Sequence, residues 1–565
     1  MQNSCLIRGG SVIDGTGSPA FEADVRVIDG RIAEIGKGLE GKGERELDAT
    51  GCVVTPGFID SHCHYDATLH WDRRCDPITL HGYTTILIGN CGLGLAPIKP
   101  QEASTLGSLF AYIEDLPKSV FETSVPWNWE SFPDYAAALG AESWGVNVAT
   151  CVSHSLLRQY VIGPEAWARA STPEEIEKIA KLAREAMEAG ALGVSTSRFD
   201  RDPDGRPVPS YYADDAELDA LAAAIEPYHG LLQTIPTQDD QVQWDNDLRN
   251  LCRHAANHGG LPVLSNHIGQ RPDDPSNAPR LLELAREINA KGGNLRHMIS
   301  PRSIDLVMNY IQCMVFMYVP AWNEVLQGSL SREKKLEMLA DPEWRARARV
   351  DLDKAPIPGP MLPLYQVIEV AKPELEGWLG RSFGELIAER GGHPSDVLAD
   401  WGIENDLNAE LLYPLTNTDP KIVGELLDAP ENLVSGSDAG AHIAMFDGAG
   451  DATLIFIRHV RERGDLTLER AVHRLTQEQA EFLGLKDRGV VKPGAIADLA
   501  VFNLDDLNYD RAEKLHDIPG GFKRFRRPPG NYRYTLINGT VVQENGAATE
   551  ALPAAFLGKR DRVFG

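Results

Sequence analysis

Over residues 57–485, apolar runs of strand length alternate with helix-patterned stretches, and each run closes on polar residues. About eight runs can be counted, ending near His64, Cys91, His154, Ser197, Thr237, His267, Ser300 and Asp438. The helix signals between them are explicit. In "STPEEIEKIAKLAREAMEAG", Thr172 can cap, Pro173 suits the first turn, Glu175 completes a capping box and Gly190 stops the helix. Repeated strand-then-helix units predict a parallel sheet. Eight of them close into a (β/α)8 TIM-like barrel, an α/β fold whose reactive groups gather at the carboxyl ends of the strands.

Both flanks carry a different pattern. "CLIRGGSVIDGTGSPAFEADVRVIDGRIAEIG" is a series of short alternating runs split by glycine and aspartate turns. "GAIADLAVFNLDD" and "YTLINGTVVQENGAAT" repeat that texture, with Asn538-Gly539 a hairpin signal. The expected organisation is a small β-sandwich assembled from residues 1–56 and 486–548 around a barrel of 57–485, with 549–565 as a tail. Two stretches break the barrel rhythm, one around "VPWNWESFPDY" and one over 304–430, and long excursions on that face usually shape a substrate pocket.

A chain of 565 residues with 43% hydrophobic content is globular, and its formal charge of -27 repels phosphate backbones and anionic lipid. The expected partner is a small molecule, with no nucleic acid and no membrane; homo-oligomerisation is left open. The polar, glycine-rich start and the lack of a long uncharged apolar run predict a cytoplasmic protein. Eight cysteines without paired spacing argue against a disulfide framework.

His62 and His64 in "GFIDSHCHYD" should point one way and Cys63 the other, so two imidazoles converge at the end of the first barrel strand. Such a pair suits zinc if neighbouring strands add partners; taken alone it is more often two core or surface histidines. Asp60 or Asp66 could orient the rings. Cys91, at the end of "TTILIGNC", is in isolation a small buried residue, and beside a metal a strong thiolate ligand. Asp438 in "SGSDAGAH" either caps a helix or holds a water and accepts its proton. A lone strand-end histidine such as His267 is by default a core residue. His154, His297 and His442 are weaker candidates still.

The chain resembles the amidohydrolase superfamily and, within it, the N-acyl-D-amino-acid deacylase (D-aminoacylase-like) group. The likeness spans nearly the whole length and rests on "VVTPGFIDSHCHYD", "GYTTILIGNCGLGLAPIKP", "EAGALGVSTSR", "PVLSNHIG", "SGSDAGAH" and "RGVVKPGAIADLAVFNLD". It implies His62, His64, Cys91, His267 and Asp438 as metal ligands, with Asp438 also the general base. The implied reaction is hydrolysis of a non-peptide amide bond, for example in an N-acyl amino acid.

Three departures qualify the resemblance. Strand five, "GLLQTIPTQDD", lacks the family's histidine, so one functional Zn2+ is expected near His62, His64 and Asp438, with a second left open. Gly269 stands where the deacylases carry a substrate-gripping lysine, and "AHIAMFDGAG" replaces their sequence after the aspartate. Arg158, Arg198 and Arg302 are candidate replacement anion contacts, and His154 and His442 candidate substrate contacts. Trp127, Trp129, Trp322 and Tyr318 hint at an apolar acyl group. On the residues alone, cyclic-amide, lactone or deaminase-type hydrolysis stays open, as does a catalytically silent barrel acting as a binding protein.

Overall fold

The structure is a computed structural model that describes residues 4–272, 274–355 and 359–563. The first five strands are β1 (Cys5–Val12), β2 (Phe21–Ile28), β3 (Arg31–Gly36), β4 (Arg45–Asp48) and β5 (Val53–Pro56). The barrel follows with β6 (Phe58–Asp60), β7 (Tyr83–Ile88), β8 (Asn147–Thr150), β9 (Val152–Ser153), β10 (Gly193–Ser197), β11 (Leu231–Ile235), β12 (Val263–Ser265) and β13 (Leu295–Ile299). An insertion contributes β14 (Ile304–Asn309), β15 (Gln366–Glu369) and β16 (Glu410–Thr416) before β17 (Asn432–Val434) resumes the barrel. The chain ends with β18 (Leu499–Phe502), β19 (Glu513–Ile518), β20 (Phe522–Arg526), β21 (Tyr534–Ile537), β22 (Thr540–Glu544) and β23 (Ala547–Ala548).

Strands β6, β7 and β8 pair in parallel, and β9 to β13 and then β17 continue the parallel order. The break between β8 and β9 is a single residue, Cys151, so the two act as one barrel stave. Beyond the ends of β6 and β17 the circle closes: the His64 N–H donates to Ala439 O at 2.8 Å and the Asp438 N–H to His62 O at 3.2 Å. Each stave sends a side chain inward, among them Ile59, Leu87, Ala149, Leu231, Leu264, Met298 and Leu433. The barrel is therefore a packed core, plugged at its base by Leu483, Leu485 and Leu557, and its opposite end is left for chemistry.

Local sequence rules account for the helices around it. Helix Pro173–Ala189 has the reciprocal Thr172–Glu175 capping box and stops at Gly190, whose φ of 114° suits glycine alone. The two ends of the chain meet in a nine-stranded sheet, where β18 lies between β5 and β21, around a core that includes Ile7, Val25, Val54, Leu499 and Leu536. Residues 554–557 run back along the barrel, with the Leu557 N–H donating to Val148 O.

The insertion forms a body with its own core, built on Trp322, Trp344, Trp401, Tyr310 and Phe383, and its sheet runs β14-β16-β15. Helix Pro420–Asp428, within the stretch read as an excursion from the barrel rhythm, leads directly into β17 and lies outside the insertion core. The β19–β20 hairpin straps insertion to barrel: Lys514 and Lys523 each reach Glu410 at 3.0 Å, Arg526 reaches Asp76 at 2.8 Å, and the Phe525 N–H donates to Ile443 O. No helix among the described residues is long and apolar enough to cross a membrane.

Candidate active site

Three donor atoms meet at the open end of the barrel. His62 Nε2, His64 Nε2 and Asp438 Oδ1 are each 3.3 Å from the other two. A triangle with that edge is one face of a tetrahedron whose centre lies about 2.0 Å from each corner, the usual length of a zinc bond to nitrogen or oxygen. Cys91 Sγ sits 3.4 Å from His62 Nε2, and His62, His64 and Cys91 form a buried group whose donor atoms all lie within 4.8 Å of one another.

The backbone is bent to achieve this. Cys91 and Asp438 both have left-handed φ, 58° and 56°, a conformation that aspartate tolerates and cysteine rarely adopts. Each follows a strand end and turns its side chain back over the barrel mouth. Gly440 completes the turn, because a Cβ there would lie 2.9 Å from His64 carbonyl atoms.

Two imidazole nitrogens and a carboxylate oxygen held this close make a donor set that a cation between them would satisfy. Burial works against a charge on His62, yet Cys91 and Asp438 outweigh it and raise the ring's pKa to about 9. The negative potential that draws a proton to these lone pairs equally draws a metal ion. The buried His62 Nδ1, His64 Nδ1 and His267 Nε2 have no hydrogen-bond partner in the protein. This donor set fits a zinc ion.

His267 lines the same pocket, and burial together with the nearby Arg302 lowers its pKa to about 3, so it presents a neutral imidazole. It stands outside the 4.8 Å group. The acceptors expected to orient the rings do something else. Asp60 receives the His62 backbone N–H at 3.1 Å and the Ser437 hydroxyl, and Asp66 receives the Gly89 N–H at 3.0 Å. Glu114 flanks a ring instead: its Oε1 is 3.4 Å from His64 Nδ1 and its Oε2 4.0 Å from His442 Nε2.

The pocket beside these donors has a volume of about 240 Å³. Phe199, Trp244, Ile304, Leu306, Val315 and Tyr318 give it apolar walls, and most of these belong to the insertion or its approach. His442 and Arg271 also line it. His442 Nε2 is 3.9 Å from Asp438 Oδ2, so this candidate does belong to the site.

Several sequence candidates lie elsewhere. His154 is fully buried, with Nδ1 on Thr196 Oγ1 at 2.9 Å and Nε2 on Glu217 Oε1 at 2.7 Å, so neither nitrogen is left for a substrate. Arg158 is ion-paired with Glu217. Arg198 donates to the carbonyls of Tyr211 and Ala213, and Arg302 donates to Ser437 O while lying 3.3 Å from Asp451. None of these four lines the pocket. His297 bonds Leu281 O behind its strand. Trp129 donates to Leu95 O, Trp127 packs on Phe121, and Trp322 is buried in the insertion core; of the aromatic residues singled out, Tyr318 reaches the pocket.

Gly269 has a steric reason. A Cβ there would come within 2.8 Å of Thr416 Cβ and 3.1 Å of His267 Cε1. The insertion occupies the space that a lysine at this position would need, and Arg271, two residues on, is among the residues that line the cavity. Glu114, Gln233, Asn266 and Arg271 were not among the sequence candidates. The signal for Glu114 was faint: an acidic pair closing an otherwise apolar helix, which reads as a solvated end.

The Amidohydrolase family model matches residues 45–356 and 397–543. An uncharacterized protein of Mycobacterium tuberculosis is 30% identical over 96% of this chain and 92% of its own length. The D-aminoacylase of Alcaligenes xylosoxydans xylosoxydans is 27% identical, covering 88% of this chain and 87% of its own. Among solved structures, the N-acyl-D-glutamate deacylase of Bordetella bronchiseptica, complexed with zinc and a phosphonate inhibitor, superposes with a TM-score of 0.69 at 24% identity, covering 98% of this chain and 99% of that one. That last likeness establishes the shared barrel and β-sandwich architecture.

Proposed function

The chain belongs to the amidohydrolase family and is a metal-dependent hydrolase of non-peptide carbon–nitrogen bonds; within that frame we propose that it carries one catalytic zinc ion and cleaves the amide of an apolar, carboxylate-bearing N-acyl compound. The observation that carries the reading is the 3.3 Å triangle of His62 Nε2, His64 Nε2 and Asp438 Oδ1. These three residues would hold the ion, with Cys91 beside them and His267 across the pocket. When bound, zinc supplies a water acidified toward a pKa of about 7 and a Lewis acid for the carbonyl.

The protein's own groups do the rest. Asp438 accepts the attacking water's proton through a carboxylate oxygen and returns it to the departing nitrogen. Burial favours the neutral carboxyl, but hydrogen bonding to His62 and His64 overrides this and holds Asp438 well below the usual carboxylate range, so the side chain is ionised. Phe199, Val315 and Tyr318 take up the apolar acyl group and exclude water from the reacting bond. Arg271 faces the substrate carboxylate. A formal charge of -27 supports a small-molecule partner over nucleic acid, and eight free, buried cysteines support a reducing, cytoplasmic setting.

A panel of N-acyl amino acids with acetyl and aromatic acyl groups, each as free acid and as carboxamide, tests this. The aromatic free acids should turn over best, and Arg271→Ala should raise KM by roughly tenfold for the acids and leave the carboxamides unchanged. Equal loss on both series would remove Arg271 from that role.

A further inference from the structure

Strand five, which offers no histidine, places Gln233 under the metal site, and what Gln233 does there can be followed atom by atom. The Cys91 backbone N–H donates to Gln233 Oε1 at 2.7 Å. Gln233 Nε2 donates to Asn266 Oδ1 at 2.7 Å, and Asn266 Nδ2 donates to Cys91 Sγ at 3.2 Å. The circuit starts and ends on one residue.

Its direction is not free. An amide side chain can turn over and exchange oxygen for nitrogen, so a single amide contact leaves its sense open. Here the first link is a backbone N–H, which can only donate. That fixes Gln233 with its oxygen toward Cys91, hence its nitrogen toward Asn266, hence the Asn266 nitrogen toward the sulfur. Gln233 is fully buried, so no water competes for its bond from the Cys91 N–H. The backbone arm of the circuit also sits on the residue whose φ is a strained 58°.

A thiolate sulfur that accepts an N–H bond has given up part of the electron density it would need to bridge two cations, and hydrogen bonds to a ligating sulfur tune the centre it binds. We propose that Gln233 and Asn266 are positioning residues that hold Cys91 against a single ion, the Asn266 N–H taking the lone pair that would otherwise reach a second one. This rests on the zinc reading above. Two features meet in it: the circuit locks the sulfur's direction, and the amide that does the locking comes from strand five, which has no histidine where the family resemblance implies one.

The test is a cobalt titration of the metal-stripped full chain, read by the thiolate-to-cobalt absorption band. The parent protein should show the band saturating at one equivalent. Asn266→Leu, which removes the donor at similar volume, should move the band to longer wavelength, let a second equivalent perturb it, and weaken zinc binding by roughly 10- to 100-fold. Gln233→Glu provides a near-isosteric second variant. A carboxylate still accepts from Cys91 but cannot donate to Asn266, so the Asn266 amide turns its oxygen to the sulfur and the same band shift should follow. An unmoved band in whichever variants fold overturns the proposal. A parent protein that binds no cobalt at all would instead take down the metal-site reading beneath it.

Discussion

Two buried groupings of histidine and carboxylate stand at strand ends of the same barrel, one at His62, His64 and Asp438 and the other at His154, Glu217 and Arg158. In the second, both ring nitrogens of His154 are used, one Glu217 oxygen receives His154 and the other receives Arg158 and Ser171. In the first, three donor atoms crowd to 3.3 Å while His62 Nδ1 has no hydrogen-bond partner. Both pair histidine with a carboxylate, although Asp438 is partly open to the pocket while Glu217 is fully buried. What separates them is the histidine itself: both nitrogens of His154 are bonded within the protein, whereas His62 leaves Nδ1 unbonded and crowds Nε2 against two further donor atoms.

That contrast breaks most visibly on the reactive side. Asp438→Asn should lower kcat on the order of 10³-fold, the usual worth of a positioned acid–base group, while thermal stability stays unchanged. Near-parental turnover in a protein that keeps its zinc would remove Asp438 as the base.

The opposite signature is expected of Glu217→Gln. It leaves the Arg158 charge buried without its partner, so urea unfolding should show a loss of about 3 kcal/mol, with kcat per folded molecule preserved. pH sharpens this. Burial alone would raise the Glu217 pKa, but His154 and Arg158 bring it down to about 2, below the 4.5 of an unperturbed glutamate. The stabilisation is therefore complete above pH 4.5 and is lost as pH falls from there toward 2. The acid limb of the stability profile should be shallower in Glu217→Gln than in the parent.

A smaller effect probes how the insertion meets the site. Gly269→Ala puts a Cβ 2.8 Å from Thr416 Cβ, so Thr416 or His267 must shift, at a cost of roughly 1–2 kcal/mol. KM should rise more than kcat falls, since the displaced wall belongs to the pocket. Unchanged KM with lost stability would show that this contact is packing only.

The barrel was legible in the sequence because its signals are periodic: strand-length runs ending in polar residues, and helix punctuation such as Thr172, Glu175 and Gly190. His62, His64, Cys91 and Asp438 could be singled out because each sits at the end of an apolar run, where barrel chemistry collects. The same rule also picked out His154, Arg198 and Arg302, since a strand end looks alike whether a partner waits in the fold or in a ligand. Glu217, which satisfies His154, lies 63 positions away along the chain. Glu114, Gln233, Asn266 and Arg271 stayed hidden for the complementary reason. Each matters through convergence on another segment, and no local pattern records that Thr416 would fill the space above residue 269.

Zinc content bears most directly on the claim that the crowded triangle is a metal site. Purified protein dialysed against metal-free buffer should retain one zinc per chain, and His62→Ala should retain none while keeping its circular dichroism spectrum. Full activity without metal, or two tightly held ions per chain, would contradict the account.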